Sequence, residues 1–165
     1  MLDRIYIRTI EILVMLAFVS MVAIGFVSTV LRGVPGWGGL YWAEEIIRYA
    51  CIWMVFLASG LTIRYAVHFR VDLLFSLFPA RGQRWFWYFA FAVMIWFELV
   101  LIWFGSRVTI LNMEQQSTSL EFPMGYVYAA LPVGGSLMLF ETLRLAWIVW
   151  RGGDPNAAAG QILVD

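Results

Sequence analysis

Glu98 stands between VMIWF and LVLIWF, in the middle of a long apolar run. An ionised carboxylate at bilayer depth costs ~3 kcal/mol even on the mild insertion scale, so Glu98 must be neutral, paired or facing water. One reading makes it an ion or proton site. The other makes it a protonated acid hydrogen-bonded across a helix interface, within this chain or to a partner. Coupling chemistry usually needs a second acid or a His at the same depth, and the sequence places neither there. Glu141 and Arg144 fall about a turn or more nearer one membrane face, where they can pair with each other at i,i+3.

The stretch WAEEIIRYACIW at 42–53 carries a second set of charges at the edge of another apolar run. Glu44 precedes Arg48 by four residues, the favoured order for a helical pair, and Glu45 shares the first turns, where the helix dipole favours negative charge. Farther on, Arg64, His68 and Asp72 also step by four and form one ladder if the helix continues. Arg48 and Arg64 are sixteen residues apart, which at about 100° per residue turns them to roughly opposite faces. One straight neighbouring helix cannot satisfy both.

Other chemistries are excluded by count. Cys51 is the one cysteine and His68 the one histidine, so disulfides, CxxC redox pairs, thiolate metal centres and bis-histidine haem ligation are all out of reach. No catalytic group, cofactor or metal ligand set can be assembled, and the chain reads as no enzyme. Eleven arginines balance eleven acidic residues, so there is no basic surface for nucleic acid.

The elements that position these residues are transmembrane. The chain of 165 residues is 62% hydrophobic and 13% charged, against about 45–50% and about 25% in soluble proteins. Four apolar stretches, at about 10–31, 46–67, 85–111 and 124–150, are long enough to cross the ~30 Å hydrocarbon core. The first reads as an uncleaved anchor, since it exceeds a signal-peptide core and no A-x-A site follows. The links are short, which predicts an all-α integral membrane protein with one membrane domain over 1–165.

Arginines cluster before span one, around the link between spans two and three, and after span four. The positive-inside rule therefore puts both termini and that link in the cytoplasm, with Glu44, Glu45 and the QQSTSLEFP loop on the outer face. Within the middle link, Val71, Leu74, Phe75 and Phe78 repeat at helical spacing and Pro79 stops the pattern. This predicts a short amphipathic helix over about 70–79 lying in the inner interface, flanked by Arg70, Arg81 and Arg84 at headgroup level. The small-residue groups ASG at 58–60 and GGS at 134–136 offer places where helices approach closely, with Pro132 bending span four just before the second.

Taken in order, Arg32, WAEEIIRY at 42–49, Trp53, FL at 56–57, Arg64, HFRVD at 68–72, Pro79 and STSLEFPMGYVYAALPVG at 117–134 resemble one family along essentially the whole chain. It is the small membrane subunit, DctQ type, of tripartite ATP-independent periplasmic (TRAP) transporters. Ala58, Thr118 and Glu121 depart from it, standing where the family more often has Gly, Pro and Gly. The resemblance implies an inner-membrane scaffold without a transport site of its own. Its partners would be a large DctM-type permease with the sodium and substrate sites, a periplasmic binding protein delivering a carboxylate-type solute, and membrane lipids. It also implies roles for groups of residues. Trp42, Glu44, Glu45, Arg48 and Trp53 would form an outer partner interface. Arg64, His68, Arg70 and Asp72 would meet a partner or lipid at the inner face. Ser117, Leu120 and Pro123 belong to the outer loop, and Glu98, Glu141 and Arg144 are the intramembrane polar group. The rival reading is a self-sufficient, homo-oligomeric, proton-coupled exporter that uses Glu98.

Overall fold

Links that contain proline separate the long helices. The computed structural model describes residues 2–34, 39–75 and 80–151, side chains of 2–4, 65–84 and 86 excepted. Helix α1 (Leu2–Gly33) ends two residues before Pro35, a residue type that disfavours helix in the position ahead of it. Helix α2 (Ala43–Phe75) opens with Glu44 and Glu45 in its first turn, where carboxylates favour the exposed N–H groups. Helix α3 covers Ala80–Leu111. After a hairpin-like link come the single turn α4 (Gly125–Tyr128) and the last helix, α5 (Ala130–Trp150).

Four segments are long and apolar enough to cross a membrane: Ile5–Gly33, Ala43–Arg64, Trp87–Leu111 and Gly125–Trp150. The fourth is α4 and α5 together, broken at Ala129. Pro132 explains the break, because its ring crowds the carbonyl four residues earlier, that of Tyr128, and it has no N–H to offer. The expected bend therefore falls at the start of the span. The separate interfacial helix expected over about 70–79 is, as far as Phe75, the continuation of α2. No Gly or Pro stands between Arg64 and Phe75 to interrupt it, and residues 76–79 lie outside the described ones.

Among the described residues, α1 packs on α2, α2 on α5, and α5 on α3. The spans thus stand in an open row, α1–α2–α5–α3, instead of closing on themselves. Small residues place α5 inside the row. Gly134 meets α2 so closely that a Cβ there would sit 2.7 Å from the Cβ of Phe56, and Gly135 on the next face touches Ile102 and Leu101 of α3. Accordingly 28% of the apolar window of the fourth span is buried, against 6% for α1. Apolar contacts concentrate toward the end that carries the termini. Ile7 and Ile10 pack on Leu61 there, and Phe91 packs with Leu145.

Candidate functional site

The centre of the row is polar. Glu141 and Thr142 are consecutive on α5, so about 100° of helical turn points one toward α2 and the other toward α3. Arg64 of α2 donates from Nη1 to Glu141 Oε1 at 3.1 Å, and both side chains are almost wholly buried. Arg144, one turn along α5, brings its own Nη1 to 3.6 Å from the other oxygen, Oε2. On the opposite side the Thr142 hydroxyl donates to Glu98 Oε1 at 2.6 Å, and Glu98 is only 1% exposed. A seam of five polar side chains therefore joins α2, α5 and α3.

The sequence puts Glu141 a turn or more nearer one face than Glu98, and its neighbour Thr142 nonetheless reaches Glu98, so both acids belong to one seam. Chemically the seam is a clamp. One carboxylate shared by two guanidiniums lowers the cost of placing charge among helices, and the remaining acid is held by a hydroxyl.

At the end of the row where α1 meets α2, the other charged set resolves differently from its spacing. Glu44 accepts from Arg32 at the end of α1 (2.9 Å), and not from Arg48. The link between the two helices is short enough to bring Arg32 across. Glu45 turns the other way and accepts the backbone N–H of Ser119 at 3.0 Å.

Ser119 belongs to the α3–α4 link, a narrow hairpin in which Ser117 N–H reaches Phe122 O at 2.9 Å and Gln116 bridges to Pro123. The Ser117 hydroxyl accepts from Leu120 and Phe122 N–H at 3.3 and 3.4 Å, closing the tip. Glu121 takes φ +53°, the left-handed region that glycine enters without strain. This is the place where the resemblance noted above more often has Gly. Below the tip, Trp53 Nε1–H donates to Tyr126 O at 3.2 Å and the Tyr49 hydroxyl to Met124 Sδ at 3.3 Å. Glu45, Tyr49 and Trp53 thus pin the hairpin along one face of α2.

Trp42 sits half-buried just before α2, and Arg48 is exposed with no ion pair or hydrogen bond among the described residues. The side chains of His68, Arg70 and Asp72 lie outside the described residues, so the ladder from Arg64 is not traced beyond its first rung. Sequence reasoning missed Thr142 and the Arg32 bridge. A threonine directly after a buried acid, and an arginine closing the preceding helix, were the available signals.

The pattern of the DctQ component of tripartite ATP-independent periplasmic transporters matches residues 21–152, most of the chain. The chain belongs to this family. Among its relatives is the C4-dicarboxylate TRAP transporter small permease protein DctQ of Rhodobacter capsulatus. That protein is 30% identical over 128 residues, which is 76% of this chain and 55% of the relative. The isethionate TRAP transporter permease protein DctMQ of Oleidesulfovibrio alaskensis is 29% identical over 127 residues, 74% of this chain and 20% of its own length. A DctQ of Vibrio cholerae is 24% identical over 91% of this chain and 75% of that protein. The chain thus spans about half of the first relative and a fifth of the second. As a DctQ component it is a multi-pass inner-membrane protein, part of a transporter permease and not an enzyme.

Proposed function

We propose that this DctQ subunit is a rigid membrane brace for a large DctM-type permease, which carries a carboxylate-type solute with sodium after delivery by a periplasmic binding protein. The observation behind this reading is the seam: Arg64, Glu141, Thr142 and Glu98 are spent on holding α2, α5 and α3 together. A coupling acid must meet water from each side in turn, whereas Glu98 is enclosed and held by Thr142. The broad apolar faces of an open row provide surface for a second membrane protein. The DctMQ relative favours the partner, because the matched part fills only 20% of it and leaves room for a much larger permease portion on one polypeptide. With both termini in the cytoplasm, the hairpin pinned by Glu45 lies on the outer face, on the side from which a binding protein approaches.

Glu98→Gln separates this reading from the exporter. In the assembled transporter reconstituted with its binding protein, uptake by the variant should stay within about twofold of the parent, since the amide still accepts from Thr142. Loss of uptake with assembly intact, or solute movement by this chain alone in liposomes, overturns the brace.

A further inference from the structure

An apolar groove of about 510 Å³ opens between α1 and α2, and Arg48 stands at its polar end. We propose that this groove binds an anionic glycerophospholipid, with the phosphate on Arg48 and one acyl chain along α2.

Three observations carry the assignment. The cation is available: Glu44, beside it on the rim, is engaged by Arg32, while Arg48 is exposed and has no polar partner among the described residues. With Glu44 neutralised, the rim carries a net positive charge that complements a phosphodiester. The walls are hydrocarbon: Met21 of α1 faces Ile52, Val55 and Phe56 of α2, and the surface between them is almost wholly apolar.

The third observation is length. From Glu44 to Phe56 the groove follows α2 for about 18 Å, starting at the end of the span, where headgroups lie. One leaflet of hydrocarbon is about 15 Å, half the ~30 Å core. A crossing helix of a partner would need a seat through the whole core, whereas this one ends near the middle. Arg48 lies a little inside the span, and its apolar stem lets the guanidinium reach up to the phosphate level.

The test uses the full chain in mild detergent and native mass spectrometry with phosphatidylglycerol, phosphatidylcholine or inorganic phosphate. Cys51, the single cysteine, lines the groove, so its alkylation by N-ethylmaleimide reports occupancy in the same samples. Phosphatidylglycerol should be retained and should slow alkylation, and inorganic phosphate should do neither. Arg48→Gln should weaken phosphatidylglycerol roughly tenfold, the worth of one charge-assisted hydrogen bond. Phosphatidylcholine, which has no net charge, should be retained more weakly, and equal retention overturns the anionic assignment. Val55→Trp should exclude phosphatidylglycerol, and because Val55 is half-exposed the fold tolerates it. Unchanged phosphatidylglycerol binding in either folded variant overturns the proposal. So does competition by inorganic phosphate as strong as by lipid, or a cross-link from a cysteine at 55 to a permease helix in the assembled transporter.

Discussion

Glu141 faces two guanidiniums with one buried carboxylate. Glu141→Gln removes the anion from between them and should cost about 3 kcal/mol in unfolding by SDS or heat in detergent. Thr142→Val deletes only a neutral donor and should cost under about 1 kcal/mol, and a reversed order of the two would refute the clamp. Glu121→Gly should stabilise the chain by about 0.5–1 kcal/mol in the same assay, because a left-handed φ strains any residue with a Cβ. The sequence makes the needs of these residues legible better than their partners. Glu98 and Glu141 announce themselves by sitting in hydrocarbon, but the hydroxyl that meets Glu98 comes from 44 positions away. Glu44 shows the limit of a local rule. An i,i+4 pair is worth only about 0.2–0.5 kcal/mol, so a cation presented across a tight link displaces it.

The contacts between α2 and α5 depend on the absence of side-chain volume. At Gly134 a Cβ would lie 2.7 Å from Phe56 Cβ and 2.9 Å from its carbonyl oxygen, atoms that cannot swing aside. Gly134→Ala should therefore destabilise by about 1–3 kcal/mol. Gly25→Ala, whose Cβ would meet only the end of Ile47 at 3.6 Å, should be neutral or stabilising by up to about 1 kcal/mol. Thermal unfolding of the two variants side by side checks the contrast. Helix existence was readable from long apolar runs bounded by Pro and Gly. Two details were not. The end of α2 was read as a separate amphipathic helix because Val71, Leu74, Phe75 and Phe78 repeat at helical spacing ahead of Pro79, yet with no breaking residue before them the backbone stays helical from Arg64 to Phe75. The break at Ala129 sits three residues ahead of the proline that causes it, next to the displaced carbonyl of Tyr128.

Hydropathy counts spans but does not say which span neighbours which, so the four crossings and the family were legible while the row was not. Cysteine pairs test the order in a Cys51→Ala background. Ile10→Cys with Leu61→Cys, drawn from one packed cluster, should cross-link in membranes under mild oxidation. Phe18→Cys with Trp96→Cys, on the two outermost helices, should not. Cross-links in both pairs would mean that the row closes into a ring, and a cross-link in the second pair alone would mean a different order.

Stiffness is then unequal from one edge of this wall to the other. Three helices are riveted by ionic and hydroxyl contacts, while α1 adheres mainly through apolar and ring contacts, Tyr6 on Phe140 among them, with the exposed Arg32–Glu44 bridge at its tip. When bilayer thickness or lateral pressure changes, the strain is absorbed along the α1–α2 boundary, and the riveted part moves as a plank.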